Sequence, residues 1–164
     1  MNTIFERMKL RDHFEEGAKL ADAVLRDEAF LAAMERGAQL LVEALGSGHK
    51  ILSCGNGGSM CDAMHFAEEL SGRFRDDRPP LAALALSDVS AMTCVGNDYG
   101  FDQVFARQVQ ALGRPGDVLL AISTSGNSSN ILEACRAAKA AGMHVVSLTG
   151  KGGGALRPMA DVDV

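Results

Sequence analysis

No apolar run in this chain approaches the roughly 20 residues that a membrane-spanning helix needs. The charged opening FERMKLRDHFEE also lacks the apolar core of a secretory signal. No basic run offsets the formal net charge of −5, which argues against a general nucleic-acid binder. No C-x-x-C pairing occurs among Cys54, Cys61, Cys94 and Cys135. These cysteines fall within or beside apolar segments and read as free, mostly buried thiols of a reducing compartment, the cytoplasm. No linker or internal repeat divides the 164 residues, so they read as one domain with a sizeable core. The nucleotide pattern G-x-x-x-x-G-K-[ST] is absent, and the GNGGS stretch is not a G-x-G-x-x-G dinucleotide turn.

What the chain does have is glycine, 18 residues of it, clustered at turns. That is the usage of a sheet protein with many tight strand-to-helix connections. Helical spacing of Phe14, Leu20, Val24 and Leu25 predicts a helix over 4–26. Leu31, Met34, Leu41 and Leu45 predict another over 28–46, ended by Gly46 and Gly48 in left-handed conformations. An alternation follows: strand 50–54, helix 59–73, strand 82–86, a helical stretch 88–95 and a helix 102–112. It continues with strand 117–122, helix 127–141, strand 144–148 and a last strand from Asp161. Continuously apolar strands separated by helices imply parallel pairing through right-handed crossovers. The expected fold is a doubly wound α/β, five-stranded parallel sheet with two N-terminal helices (4–46) before a core at 49–164. In such folds ligands gather at the carboxyl ends of the strands. The final strand has no closing helix, which reads as a C-terminal segment absent from this chain.

Three loops at that carboxyl edge stand out. In ISTSGNSSN, the hydroxyls of Ser123, Thr124, Ser125 and Ser128 surround Gly126-Asn127 where a helix begins. Helix N-termini favour phosphate, and hydroxyls add donors without charge; the plainer reading is a Ser-rich N-cap. CGNGGS presents Asn56, Gly57 and Gly58 to hydroxyl-rich ligands, or is a structural turn. In SDVSAMTCVGNDYGFD, Asn97 and Asp98 suit sugar hydroxyls or an Asx turn before Gly100.

His65 and Glu69, four residues apart on the helix of CGNGGSMCDAMHFAEEL, share a face and suit one metal, with Asp62 near the same face. A surface ion pair is the plainer reading. Two ligands are also fewer than zinc usually takes. Arg73, Arg75 and Arg78 read as a solvated loop from which Arg73 could reach a ligand, and His13, His49 and His144 read as structural.

Taken together, ILSCGNGGSMCDAMHFAEELSGRFRDDRP, LSDVSAMTCVGNDYGF and GDVLLAISTSGNSSNILEA resemble the phosphoheptose isomerases of the sugar isomerase (SIS) fold family, over nearly the whole chain. The run HFAEEL is the most particular to that family. The resemblance implies interconversion of sedoheptulose 7-phosphate and glycero-manno-heptose 7-phosphate, the entry to bacterial ADP-heptose and lipopolysaccharide core synthesis. It implies substrate contacts from Asn56, Gly57, Gly58, Asn97 and Asp98, with the phosphate held by Ser123, Thr124, Ser125 and Ser128. It implies zinc on His65 and Glu69, and Glu69 as the proton carrier that also touches substrate. A Gln and a His from a C-terminal helix would complete the family's metal site, and this sequence ends before that helix. The family assembles as homotetramers with sites between subunits. The competing reading is a non-catalytic phosphosugar-binding or replication-initiator-associated regulatory protein on the same fold, disfavoured by the carboxylate at position 69.

Overall fold

The computed structural model describes Leu10–Val164, so the expected helical residues 4–9 lie outside the described residues. The chain runs α1 (Leu10–Arg26), α2 (Glu28–Gly46), β1 (Ile51–Gly55), α3 (Gly58–Ser71), β2 (Ala83–Ala85) and α4 (Val89–Tyr99). A 3-10 turn (Phe101–Gln103), α5 (Ala106–Leu112), β3 (Val118–Ser123), α6 (Ser129–Ala140) and β4 (His144–Thr149) follow. A second 3-10 turn (Arg157–Met159) and β5 (Val162–Asp163) end it. The five strands are ordered β2-β1-β3-β4-β5, and every pair is parallel. No helix among the described residues is long and apolar enough to cross a membrane.

The core follows from the pleat. Along β3, Leu119 and Ala121 pack on one face with Val109 of α5 and with Ile131 and Cys135 of α6. Val118, Leu120 and Ile122 pack on the other face with Ala44 of α2 and Ala63 of α3. Every residue of β1 and β3 is buried, as strands covered on both faces must be. Truncating Leu52 or Leu119, both 0% exposed, to alanine would cost about 2–5 kcal/mol.

The helices differ in their debts to the core. α2 starts at Asp27, whose carboxylate accepts from Phe30 N at 2.9 Å, and it buries Ala33, Gly37 and Ala44. Only Gly48 takes a left-handed angle at its end (φ 82°), while Gly46 is the last helical residue. α1 buries no residue, and Phe14, Leu20 and Leu25 of its apolar stripe stay exposed.

Three further expectations need correction. The stretch at 88–95 continues to Tyr99, so Asn97 and Asp98 form the last helical turn rather than an Asx turn. The helix expected over 102–112 is broken into the 3-10 turn and α5. Cysteine burial also splits: Cys54 and Cys135 are buried, but Cys61 and Cys94 are exposed on helix surfaces. Burial pushes the Cys135 thiol up to about 12 and raises Cys54 as well.

Candidate functional site

The strand order reverses direction at β1 and β3, which lie side by side with Gly55 opposite Ile122. A parallel sheet opens a crevice beyond the carboxyl ends of its strands at such a switch point. The sequence pointed to that edge; the strand order singles out this pair. The turn of Asn56 and the hydroxyl loop of Ser123–Ser128 are the two connections that leave β1 and β3 here.

Local geometry explains the glycines. Gly57 has φ 55°, a left-handed conformation that turns the chain into α3. A side chain on Gly55 would run into the Ser59 backbone, so only glycine lets α3 start this close to β1. Gly126 (φ 63°) packs against the Gly153 carbonyl with no room for a Cβ, which seats the hydroxyl loop against the loop after β4.

Helix capping differs among the helices, and α5 starts without a side-chain cap. α2 and α4 are capped by carboxylates, Asp27 to Phe30 N and Asp88 to Ala91 N. The Ser90 hydroxyl and the Ala91 amide hold the Asp88 carboxyl below its ordinary value. By contrast α3 and α6, which open at the two loops, have no side-chain cap hydrogen bond. Ser128 stands at the N-cap of α6, but its Oγ lies 3.3 Å from Ser123 Oγ instead. Ser128 is thus the N-cap by position only, and the first-turn amides of α6 have no side-chain cap. Ser123 is buried, Ser125 and Ser128 are half-buried, and Thr124 is exposed. Ser125 Oγ accepts from Asn127 N at 3.1 Å, which shapes the turn.

α3 carries the titratable group. His65 Nε2 is 3.2 Å from Glu69 Oε1 and 3.7 Å from Glu68 Oε1. One ligand atom from each of the three lies within 4.8 Å of the others. An imidazole nitrogen beside carboxylate oxygens is a donor set that zinc accepts. Glu68 was not assigned a role from the sequence, although its i+3 spacing from His65 was legible. Asp62 lines the same cavity without joining the donor group. That cavity, about 500 Å³, is walled by His65, Glu69, Phe66, Phe74, Ile122 and Leu148, and Ile122 leads straight into Ser123. The imidazole and carboxylate thus border an apolar hollow on the α3 face of the sheet, floored by Leu120, Ile122 and Leu148.

Arg78 is no idle loop residue. Its guanidinium donates to the Glu69 carbonyl at 2.6 Å and the Leu70 carbonyl at 2.9 Å, closing the end of α3. Arg75 stacks over Phe74 at 5.0 Å, and Arg73 is exposed. Asn97 and Asp98 sit apart from the α3 cluster, and their side-chain hydrogen bonds stay within α4. Missed altogether were Asn130, which pairs with Asn56 at 2.9 Å, and Ser129, which donates to Asp102 at 2.5 Å. No local pattern marks either pair, because the partners lie 74 and 27 residues apart.

A doubly wound sheet with a hydroxyl loop at its switch point is the frame of a sugar isomerase domain, and the SIS domain model matches residues 12–150. The phosphoheptose isomerase of Escherichia fergusonii is 54% identical over 155 residues, covering 94% of this chain and 81% of that protein. That of Enterobacter sp. strain 638 is 53% identical over the same shares. Among solved structures, phosphoheptose isomerase GmhA from Neisseria gonorrhoeae superposes with a TM-score of 0.86 at 46% identity. The enzyme from Francisella tularensis gives 0.87 at 43%; each match covers 93% of this chain and 81% of the other. The chain belongs to the phosphoheptose isomerase family.

Proposed function

We infer that this chain isomerises sedoheptulose 7-phosphate to D-glycero-D-manno-heptose 7-phosphate, the step that commits the sugar to ADP-heptose and lipopolysaccharide core synthesis. The observation that carries this reading is the His65–Glu69 pair, 3.2 Å apart on the helix that follows the Asn56 turn, in a chain whose α6 opens on a hydroxyl-rich loop without a side-chain cap. Ser123, Thr124, Ser125, Ser128 and the first amides of α6 anchor the phosphate. Asn56, Gly57 and Gly58, with Asn97 and Asp98, meet the sugar hydroxyls. Anchoring the far end of a flexible chain fixes the reacting carbons beside the base.

In the open-chain ketose, Glu69 takes a proton from C1 and returns it to C2 through an enediol. The hydroxyl proton passes from O1 to O2, so protons balance and no group leaves. Zinc, held by His65 and Glu69 with Glu68 beside them, would act as a Lewis acid on the substrate oxygens. The remaining assignments are a homotetramer with sites near subunit boundaries and a cytoplasmic location.

The test is to incubate purified protein with zinc and sedoheptulose 7-phosphate and follow the aldose product, with a chelated sample beside it. Turnover that Glu69→Gln abolishes supports the isomerase. Sugar-phosphate binding without turnover returns the chain to a non-catalytic binding role.

A further inference from the structure

α6 opens with three consecutive side chains that reach three different parts of the site. Ser128 faces Ser123 inside the hydroxyl loop. Ser129 Oγ donates to Asp102 Oδ1 and fastens the 3-10 turn that follows Asn97 and Asp98. Asn130 exchanges two amide hydrogen bonds with Asn56, each 2.9 Å, and so holds the turn after β1. Successive residues leave a helix roughly 100° apart, which lets one helix start address three walls at once.

Asn130 is 2% exposed and is followed by the buried Ile131, Ala134 and Cys135, a setting where an apolar residue would be the ordinary choice. It is not the N-cap, which is Ser128. Its amide is satisfied by Asn56 across the β1–β3 boundary. A reciprocal pair of carboxamides is geometrically selective: each partner gives one N–H and takes one at a fixed separation. Aspartate at 130 would set a carboxylate oxygen against Asn56 Oδ1, and glutamine would be one methylene too long.

We propose that Asn130, assisted by Ser129, is a positioning residue that sets the span between the phosphate anchor and the sugar-facing walls. Asn130 fixes the turn at 55–58, and Ser129 fixes the segment around Asp102. Neither is required to touch substrate. This rests on the phosphosugar reading above. Inorganic phosphate needs only the anchor, whereas a sugar phosphate must meet the anchor and the walls together.

Calorimetric titration of the whole chain with inorganic phosphate and with sedoheptulose 7-phosphate separates the two. In Asn130→Asp, sugar-phosphate affinity is expected to fall about tenfold while inorganic phosphate affinity stays within about twofold. Ser129→Ala changes an exposed residue with little risk to folding, and it decides the matter if the first variant does not fold. Its expected loss is about threefold, again for the sugar phosphate alone. Equal losses for both ligands would mean a weakened anchor and overturn the proposal, as would unchanged sugar-phosphate affinity in the folded variants. A wild-type chain that does not distinguish the two ligands overturns the phosphosugar reading itself, and this inference with it.

Discussion

At the carboxyl ends of β1 and β3 the chain places glycines, hydroxyls and amides, while at the amino ends of β3 and β5 it places carboxylates fastened to cations. Asp117, 2% exposed, accepts from Lys50 N at 3.0 Å, Lys50 Nζ at 2.5 Å and Arg114 N at 2.8 Å, with His49 Nδ1 at 3.9 Å. Asp161 repeats the device at β5, accepting from Val145 N at 2.7 Å and Lys139 Nζ at 2.6 Å, with His144 Nδ1 at 3.8 Å. At one edge α3 and α6 start without a side-chain cap. At the other the carboxylates tie neighbouring strands and loops together. On the proposed function, binding and stability draw on opposite ends of the sheet.

Breaking this division is the sharpest test of it. Glu69→Gln should lower turnover by about 10²–10⁴-fold with the melting temperature little changed, because the proposed proton carrier lies on a helix surface. A parallel fall in melting temperature would show that the two edges are not separable. At the other edge, Asp117→Ala should destabilise the chain by about 3 kcal/mol, read by denaturant unfolding. It strands a half-buried ammonium and two backbone amides, and sugar-phosphate affinity should hold in the protein that remains folded.

The same carboxylates set an acid limit. Burial raises Asp117 and Asp161, but the hydrogen bonds and charge of Lys50 and of Lys139 outweigh it and hold both below their ordinary values. A depressed folded value contributes stability that is present above the unfolded value, near about pH 4, and lost as pH falls through the folded one. Unfolding midpoints measured downward from about pH 5 should therefore drop, and Asp117→Asn should flatten that drop. A decline of equal steepness in the variant would assign the acid limit elsewhere. The smallest effect expected is from Asp27→Ala, about 1 kcal/mol from the lost cap of α2, with no change at the ligand edge.

Much of the architecture was legible because its signals are local. Glu28–Gly46 appears with the bounds that its apolar spacing gave, and the strands fall within a residue or two of their apolar runs. The hydroxyl loop and the His65–Glu69 spacing were equally readable, since four residues on a helix are neighbours whatever the fold. The end of α4 was not, because nothing in VGNDY stops a helix before Gly100 does. Arg78 looked like solvated charge, and only the folded loop brings its guanidinium to the open carbonyls of α3. Cys61 and Cys94 looked buried by their neighbours in sequence, but each faces outward on its helix.

By itself, then, the sequence determined the fold class, the sheet edge that its unusual loops share and the placing of His65 and Glu69 on one helix face. Each of these rests on interactions between residues a few positions apart. The tertiary structure decided which strands flank the crevice, which helix starts stay uncapped, and that Asn130 meets Asn56 and Asp102 meets Ser129. Those contacts join segments tens of residues apart, and their partners face each other only once the parallel register is set.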